Sequence, residues 1–100
     1  MSNATVATYT ARIVDPDESD YRGWYTEPQW VLEDEGEWKT DLDAAGIRLD
    51  VDYIEAAAAK ALEVPMTRVT ARPVGPNVSG DTSHRNIYVE SDEWEIEVAP

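Results

Sequence analysis

The stretch "DVDYIEAAAAKALEVP", residues 50–65, decides the fold. Val51, Ile54, Ala58, Ala61 and Leu62 recur at helical period and put one apolar stripe on a helix over about 51–64. Asp50 or Asp52 can cap its start, and Asp52 with Glu55 has the spacing of a capping box. Pro65 ends it, because proline has no N–H to donate and its ring clashes with the preceding turn. The four-alanine run has high helix propensity, and side chains that small let a helix lie close against a sheet.

On either side of this helix the period changes to two. Residues 5–14, "TVATYTARIV", alternate with Ala7, Tyr9, Ala11 and Ile13 on one face, which predicts a strand. "DPDESD" (15–20) reads as a turn, and "YRGWYTEPQWVLE" (21–33) is rich in β-formers, with Pro28 marking an edge or an interruption. "DEGE" (34–37) makes a second turn. "DLDAAGI" (41–47) predicts a short helical turn closed by Gly46. "MTRVTARPV" (66–74) reads as a strand and 75–85 as a loop. "NIYVESDEWEIEV" (86–98) fits a hairpin about Ser91-Asp92 that pairs Val89 with Trp94 and Ile87 with Ile96, or else one long bulged strand. Either way Glu93, Glu95 and Glu97 line a solvent face. The expected fold class is α+β: an antiparallel sheet of four to five strands with one main helix packed on one face, in a single compact domain spanning 1–100.

Charge is the outlier. Eight basic residues against 21 acidic ones leave −13 over 100 residues, which costs stability by self-repulsion. Residues 15–55 hold fourteen acids and three bases, and 90–97 hold five acids and no base, so two blocks carry nearly all of it. Four Trp, five Tyr and clear apolar periodicity argue against a disordered chain. Phosphates would be repelled, so direct nucleic-acid binding is not expected. No apolar run approaches membrane-spanning length, and the start lacks a signal peptide's charged and apolar regions, so the chain reads as a soluble cytoplasmic protein.

Catalytic constellations are hard to assemble. The absence of cysteine excludes thiol catalysis, and with one histidine it excludes a zinc site; no cofactor is expected. "DLDAAGIRLDVD" (41–52) partly matches a calcium loop, but position 5 is Ala45 and position 12 is Asp52 rather than a bidentate Glu. His84 lies in a polar loop near Ser79, Ser83 and Asp81 without an arrangement that makes a triad. Paired carboxylates abound, yet acid/base work needs one in an apolar pocket, and these sit in solvated runs. A non-enzymatic role is therefore expected. Of the aromatics Tyr21, Trp24, Tyr25, Trp30 and Trp38, most should supply the core of a chain that lacks Phe, leaving some as exposed anchors.

Rows of carboxylates present a field like that of DNA, which carries about one negative charge per 1.7 Å of duplex axis. On a strand, Glu93, Glu95 and Glu97 would stand about 6.8 Å apart. In size, acidity and lack of catalytic groups, carried by "EDEGEWKTDLD" and "ESDEWEIEV", the chain resembles small phage-encoded DNA mimics that inhibit CRISPR effectors or restriction enzymes. The resemblance implies an anti-CRISPR protein, monomer or weak dimer, that blocks the DNA-binding, PAM-reading site of a basic partner such as a Cas effector subunit. The contact residues expected on this basis are Glu33, Asp34, Glu35, Glu37, Trp38, Asp41 and Asp43, with Glu93, Glu95 and Glu97 as a second row. The alternative is salt adaptation: two lysines with abundant Asp, Glu, Ala, Val and Thr are the composition of a halophilic protein whose acids serve solvation.

Overall fold

The computed structural model describes residues 6–16, 25–46, 48–75, 78, 80 and 89–100. Among the described residues seven strands and one α-helix follow in chain order: β1 (Ala7–Val14), β2 (Gln29–Asp34), β3 (Glu37–Asp41), β4 (Leu49–Asp50), α1 (Val51–Leu62), β5 (Val69–Pro73), β6 (Glu90–Ser91) and β7 (Glu93–Val98). Five of them form an antiparallel sheet in the order β3-β2-β1-β7-β5, and β4 pairs with β6 in a separate two-stranded ribbon. The expected α+β class, with one main helix and a five-stranded antiparallel sheet, is what the chain adopts.

The helix lies on one face of this sheet. Ala11, Trp30, Leu32, Trp94, Ile96 and Ala71 point from the strands into a core that Val51, Ile54, Ala58 and Ala59 close from the helix side. Trp30 and Trp94 are its largest side chains, and burial of a side chain that large contributes roughly 4–6 kcal/mol of transfer free energy. The alternation expected for β1 holds: Ala11 is buried, with Ala7, Tyr9 and Ile13 packed against the same core.

Asp50 is the N-cap; its Oδ1 accepts the Tyr53 N–H at 2.8 Å. Asp52 lies in the first turn, and Glu55, its proposed capping-box partner, reaches instead across to β5, where Oε2 accepts the Ala71 N–H at 2.9 Å. The helix stops at Leu62, two residues short of the predicted end, because Glu63 turns left-handed (φ 58°) and the Val64 N–H returns to the Ala59 carbonyl. Residues 66–68 form a 3-10 turn, so the strand predicted over 66–74 begins at Val69.

Two local predictions are corrected. The tail does not form the hairpin: β6 pairs with β4 and β7 with β1 and β5, so residues 90–98 come nearer to the other course expected, one strand interrupted by a bend at Asp92 where the chain changes sheet. Ser91 explains the bend. It is fully buried, its hydroxyl lies 3.1 Å from the Val74 carbonyl and 2.8 Å from that of Glu93, and it accepts the Glu93 N–H. Such a local side-chain bond competes with a strand-pairing turn. Nor do residues 42–45 form a helical turn. Leu42 is buried and continues the β2–β3 ladder by donating to the Trp30 carbonyl at 2.9 Å, while Gln29 Nε2 binds the carbonyls of Trp30 and Leu42. Pro28 immediately precedes β2, as an interruption rather than an edge. The turn at 17–20, Tyr21, Trp24, Asp81, His84 and Ile87 lie outside the described residues.

Candidate functional site

The sheet face opposite the helix collects most of the carboxylates expected to act together. Strand register sets Trp38 beside Glu33, Glu33 beside Thr10, Thr10 beside Glu95 and Glu95 beside Arg72, a row that crosses all five strands. A second row places Asp41, Val31, Arg12 and Glu93 side by side, and a third Thr8, Glu97 and Thr70. Glu93, Glu95 and Glu97 alternate along β7 with the buried Trp94, Ile96 and Val98, so the strand's period of two separates acid from core.

Two arginines interrupt this field. Arg12 Nε donates to Glu33 Oε1 at 3.0 Å, and Glu33 is only 6% exposed, so the pair is part of the sheet's own packing. Arg72 on β5 is ion-paired with Glu95. Glu93 is half-buried, and Glu97 is exposed. Asp43, expected among the contact residues, pairs at 3.0 Å with Lys60 of the helix, both side chains remaining largely in water. That pair contributes little, since exposed ion pairs yield about 0–1 kcal/mol.

The β2–β3 connection has a different character. Asp34 and Glu37 are register partners, and Glu35 (φ 53°) and Gly36 (φ 82°) make the two-residue loop between them. Two successive left-handed residues are the signature of a type I′ turn, whose twist matches that of the flanking strands. Asp34, Glu35 and Glu37 are all exposed, and with Trp38 and Lys39 they line a shallow polar concavity of about 420 Å³. Trp38 is 38% exposed; its indole N–H donates to Asp41 Oδ1 at 2.9 Å, and the Tyr25 hydroxyl donates to the same oxygen at 2.6 Å. Lys39 occupies the register shift opposite Leu32 and Glu33, with its Nζ 5.8 Å from the Tyr9 ring centroid. Trp38 is thus a large apolar surface fixed in orientation beside three solvated carboxylates.

Two features escaped the sequence. Arg12 and Arg72 neutralise part of the open face, which only strand pairing reveals. A second cavity of about 540 Å³ opens at the start of β2, between Ile13, Tyr25, Glu27, Gln29, Trp30 and Ala44. The calcium-loop match at 41–52 is broken up by use: Leu42 enters the core, Leu49–Asp50 is strand, and Asp50 caps the helix. Among the described residues no three His, Asp or Glu side chains are grouped to hold a metal ion, and no helix is long and apolar enough to cross a membrane.

No protein-family model, curated protein or solved structure matches the chain.

Proposed function

We propose that this protein is a non-catalytic inhibitor of the anti-CRISPR kind, whose acidic surface occupies the DNA-binding, PAM-reading site of an effector subunit in place of DNA. The observation that carries it is the β2–β3 tip, where Asp34, Glu35 and Glu37 stand exposed around an ordered, partly exposed Trp38. Carboxylates grouped at one tip offer a basic groove the kind of oxygen acceptors that phosphates would, and an exposed Trp supplies the apolar anchor typical of interface hot spots. A formal charge of −13 steers the chain toward a basic target. Glu93 and Glu97 extend the acidic field along β7. Glu33, buried and held by Arg12, supports the sheet rather than the contact.

Competition for DNA tests this. The protein is added to purified effector complexes carrying a labelled duplex, at about 0.1 M salt, where the Debye length is about 10 Å. Displacement that weakens as salt rises is expected; failure to displace DNA from any basic effector at large excess sinks the proposal.

A second reading rests on the spread of the other acids. Glu27, Asp43, Asp52 and Glu63 are exposed outside the tip and outside β7, on or beside other elements. Acids distributed in this way suit a structural or interaction protein adapted to high salt, where carboxylates serve solvation. Such a protein unfolds when salt is withdrawn, whereas the inhibitor stays folded at about 0.1 M, so circular dichroism across a salt series separates the two.

A further inference from the structure

The two edges of the five-stranded sheet are finished differently. On β5 the Arg68 carbonyl and the Val74 N–H bond inward to Ala99 and Glu93, so the alternation turns Val69, Ala71 and Pro73 outward. Each of these outward positions is closed. The Val69 N–H returns to the Met66 carbonyl, the Ala71 N–H is taken by Glu55 Oε2 at 2.9 Å, and Pro73 has no N–H to offer. An edge so treated has no N–H left to offer another strand.

The β3 edge is closed more lightly: the Thr40 hydroxyl donates to the outward Asp41 carbonyl at 3.2 Å, a contact that leaves the carbonyl's second lone pair open. Leu42 N–H bonds inward to the Trp30 carbonyl, so the neighbouring Asp41 turns its backbone groups outward, and no described strand lies beyond β3. Glu37, Trp38, Lys39 and Asp41 are exposed. Pairing with a second copy would bring Glu37 and Asp41 against the same acids on another chain of charge −13, and like charges opposite one another are destabilising. A strand bearing Lys or Arg meets complementary charge instead.

We propose that β3 is a docking edge that takes up a basic extended segment of the partner protein as a sixth strand, with Trp38 packing on its side chains. This rests on the reading that the partner is basic, and it specifies how that partner is held: main-chain pairing supplies affinity and the flanking acids select charge.

The test uses the full chain and two synthetic nonapeptides of alternating lysine and valine, one unmodified and one N-methylated at alternate residues, at about 0.1 M salt. Methylation removes backbone donors while leaving charge intact. The unmodified peptide is expected to bind at least tenfold more tightly, to shift Trp fluorescence, and to slow amide hydrogen exchange in residues 37–41 at least tenfold without affecting β5. Equal affinity for the two peptides, protection located elsewhere, or binding of neither overturns the edge inference. Equal affinity would leave the acidic-surface reading standing. Pairing with the peptide alongside failure to displace DNA from any effector would uphold the edge and sink the inhibitor.

Discussion

Glu55 Oε2 accepts the Ala71 N–H at 2.9 Å, so a helix carboxylate occupies the sheet edge where another strand would pair. The position is partly desolvated, and that burial raises the Glu55 pKa above its ordinary value of 4.5, with the Ala71 N–H opposing the shift and Asp52 adding to it. A carboxyl whose folded pKa is raised binds more protons folded than unfolded. Its contribution to stability is therefore full below pH 4.5 and is lost as pH rises through the folded pKa. Glu55→Gln keeps an oxygen for Ala71 and cannot ionise, so it should lose less stability than the parent between pH 4.5 and 7. Urea unfolding across pH checks this, and an NMR titration placing Glu55 at or below 4.5 would refute it.

Asp50 and Asp52 were equivalent helix caps in the sequence, and only Asp50 bonds to a helix N–H, that of Tyr53. Asp50→Ala should cost about 1 kcal/mol, within a range of roughly 0.5–2, and lower Tm by roughly 4–8 °C. Asp52→Ala removes only a first-turn charge that also repels Glu55, so its effect should stay within about 0.5 kcal/mol. Thermal unfolding of the two variants side by side decides it; equal losses would contradict the cap assignment.

At the β2–β3 tip the backbone imposes the cost. A Cβ on Gly36 would meet no atom within 4 Å, so Gly36→Ala should destabilise only through its φ of 82°, by about 1–2 kcal/mol. Glu35 (φ 53°) already bears such strain, and Glu35→Asn should recover a few tenths of a kcal/mol because asparagine tolerates the left-handed region. Denaturant midpoints measure both. A neutral Gly36→Ala would mean that the turn relaxes to another type.

The helix, β1 and the tip turn were legible because their signals are local: a 3.6 period bounded by a cap and Pro65, an alternation, and "DEGE" between β-formers. The choice between a hairpin and one interrupted strand was not legible in the tail, because "ESDEWE" has a hairpin's apolar symmetry whereas the outcome depends on non-local partners, Leu49 for Ser91 and the β1 and β5 strands for β7. Ser91→Ala tests that account: it leaves the Val74 carbonyl and the Glu93 N–H without this partner and should cost about 1–3 kcal/mol. The acids of the candidate site could be counted in sequence, but their neutralisation could not. That Arg12 would meet Glu33 and Arg72 meet Glu95 depends on the strand order β2-β1-β7-β5.

Those pairings predict which acids govern binding to a basic partner. Glu95 and Arg72 already neutralise each other, so replacing both (Glu95→Gln with Arg72→Gln) leaves the net charge unchanged and should leave association with a basic partner nearly unchanged. The triple variant Asp34→Asn, Glu35→Gln, Glu37→Gln removes solvated, exposed charges at the tip. Long-range steering depends on such charges, so its association rate should fall on the order of tenfold at about 0.1 M salt. The gap to the parent should close as salt approaches about 1 M, where the Debye length is about 3 Å. The triple variant should fold at least as well as the parent, because removing three acids relieves self-repulsion in a chain of charge −13. Surface plasmon resonance at several salt concentrations, with thermal unfolding as the folding control, measures both quantities. A triple variant that associates as fast as the parent at low salt would remove the tip from the contact surface.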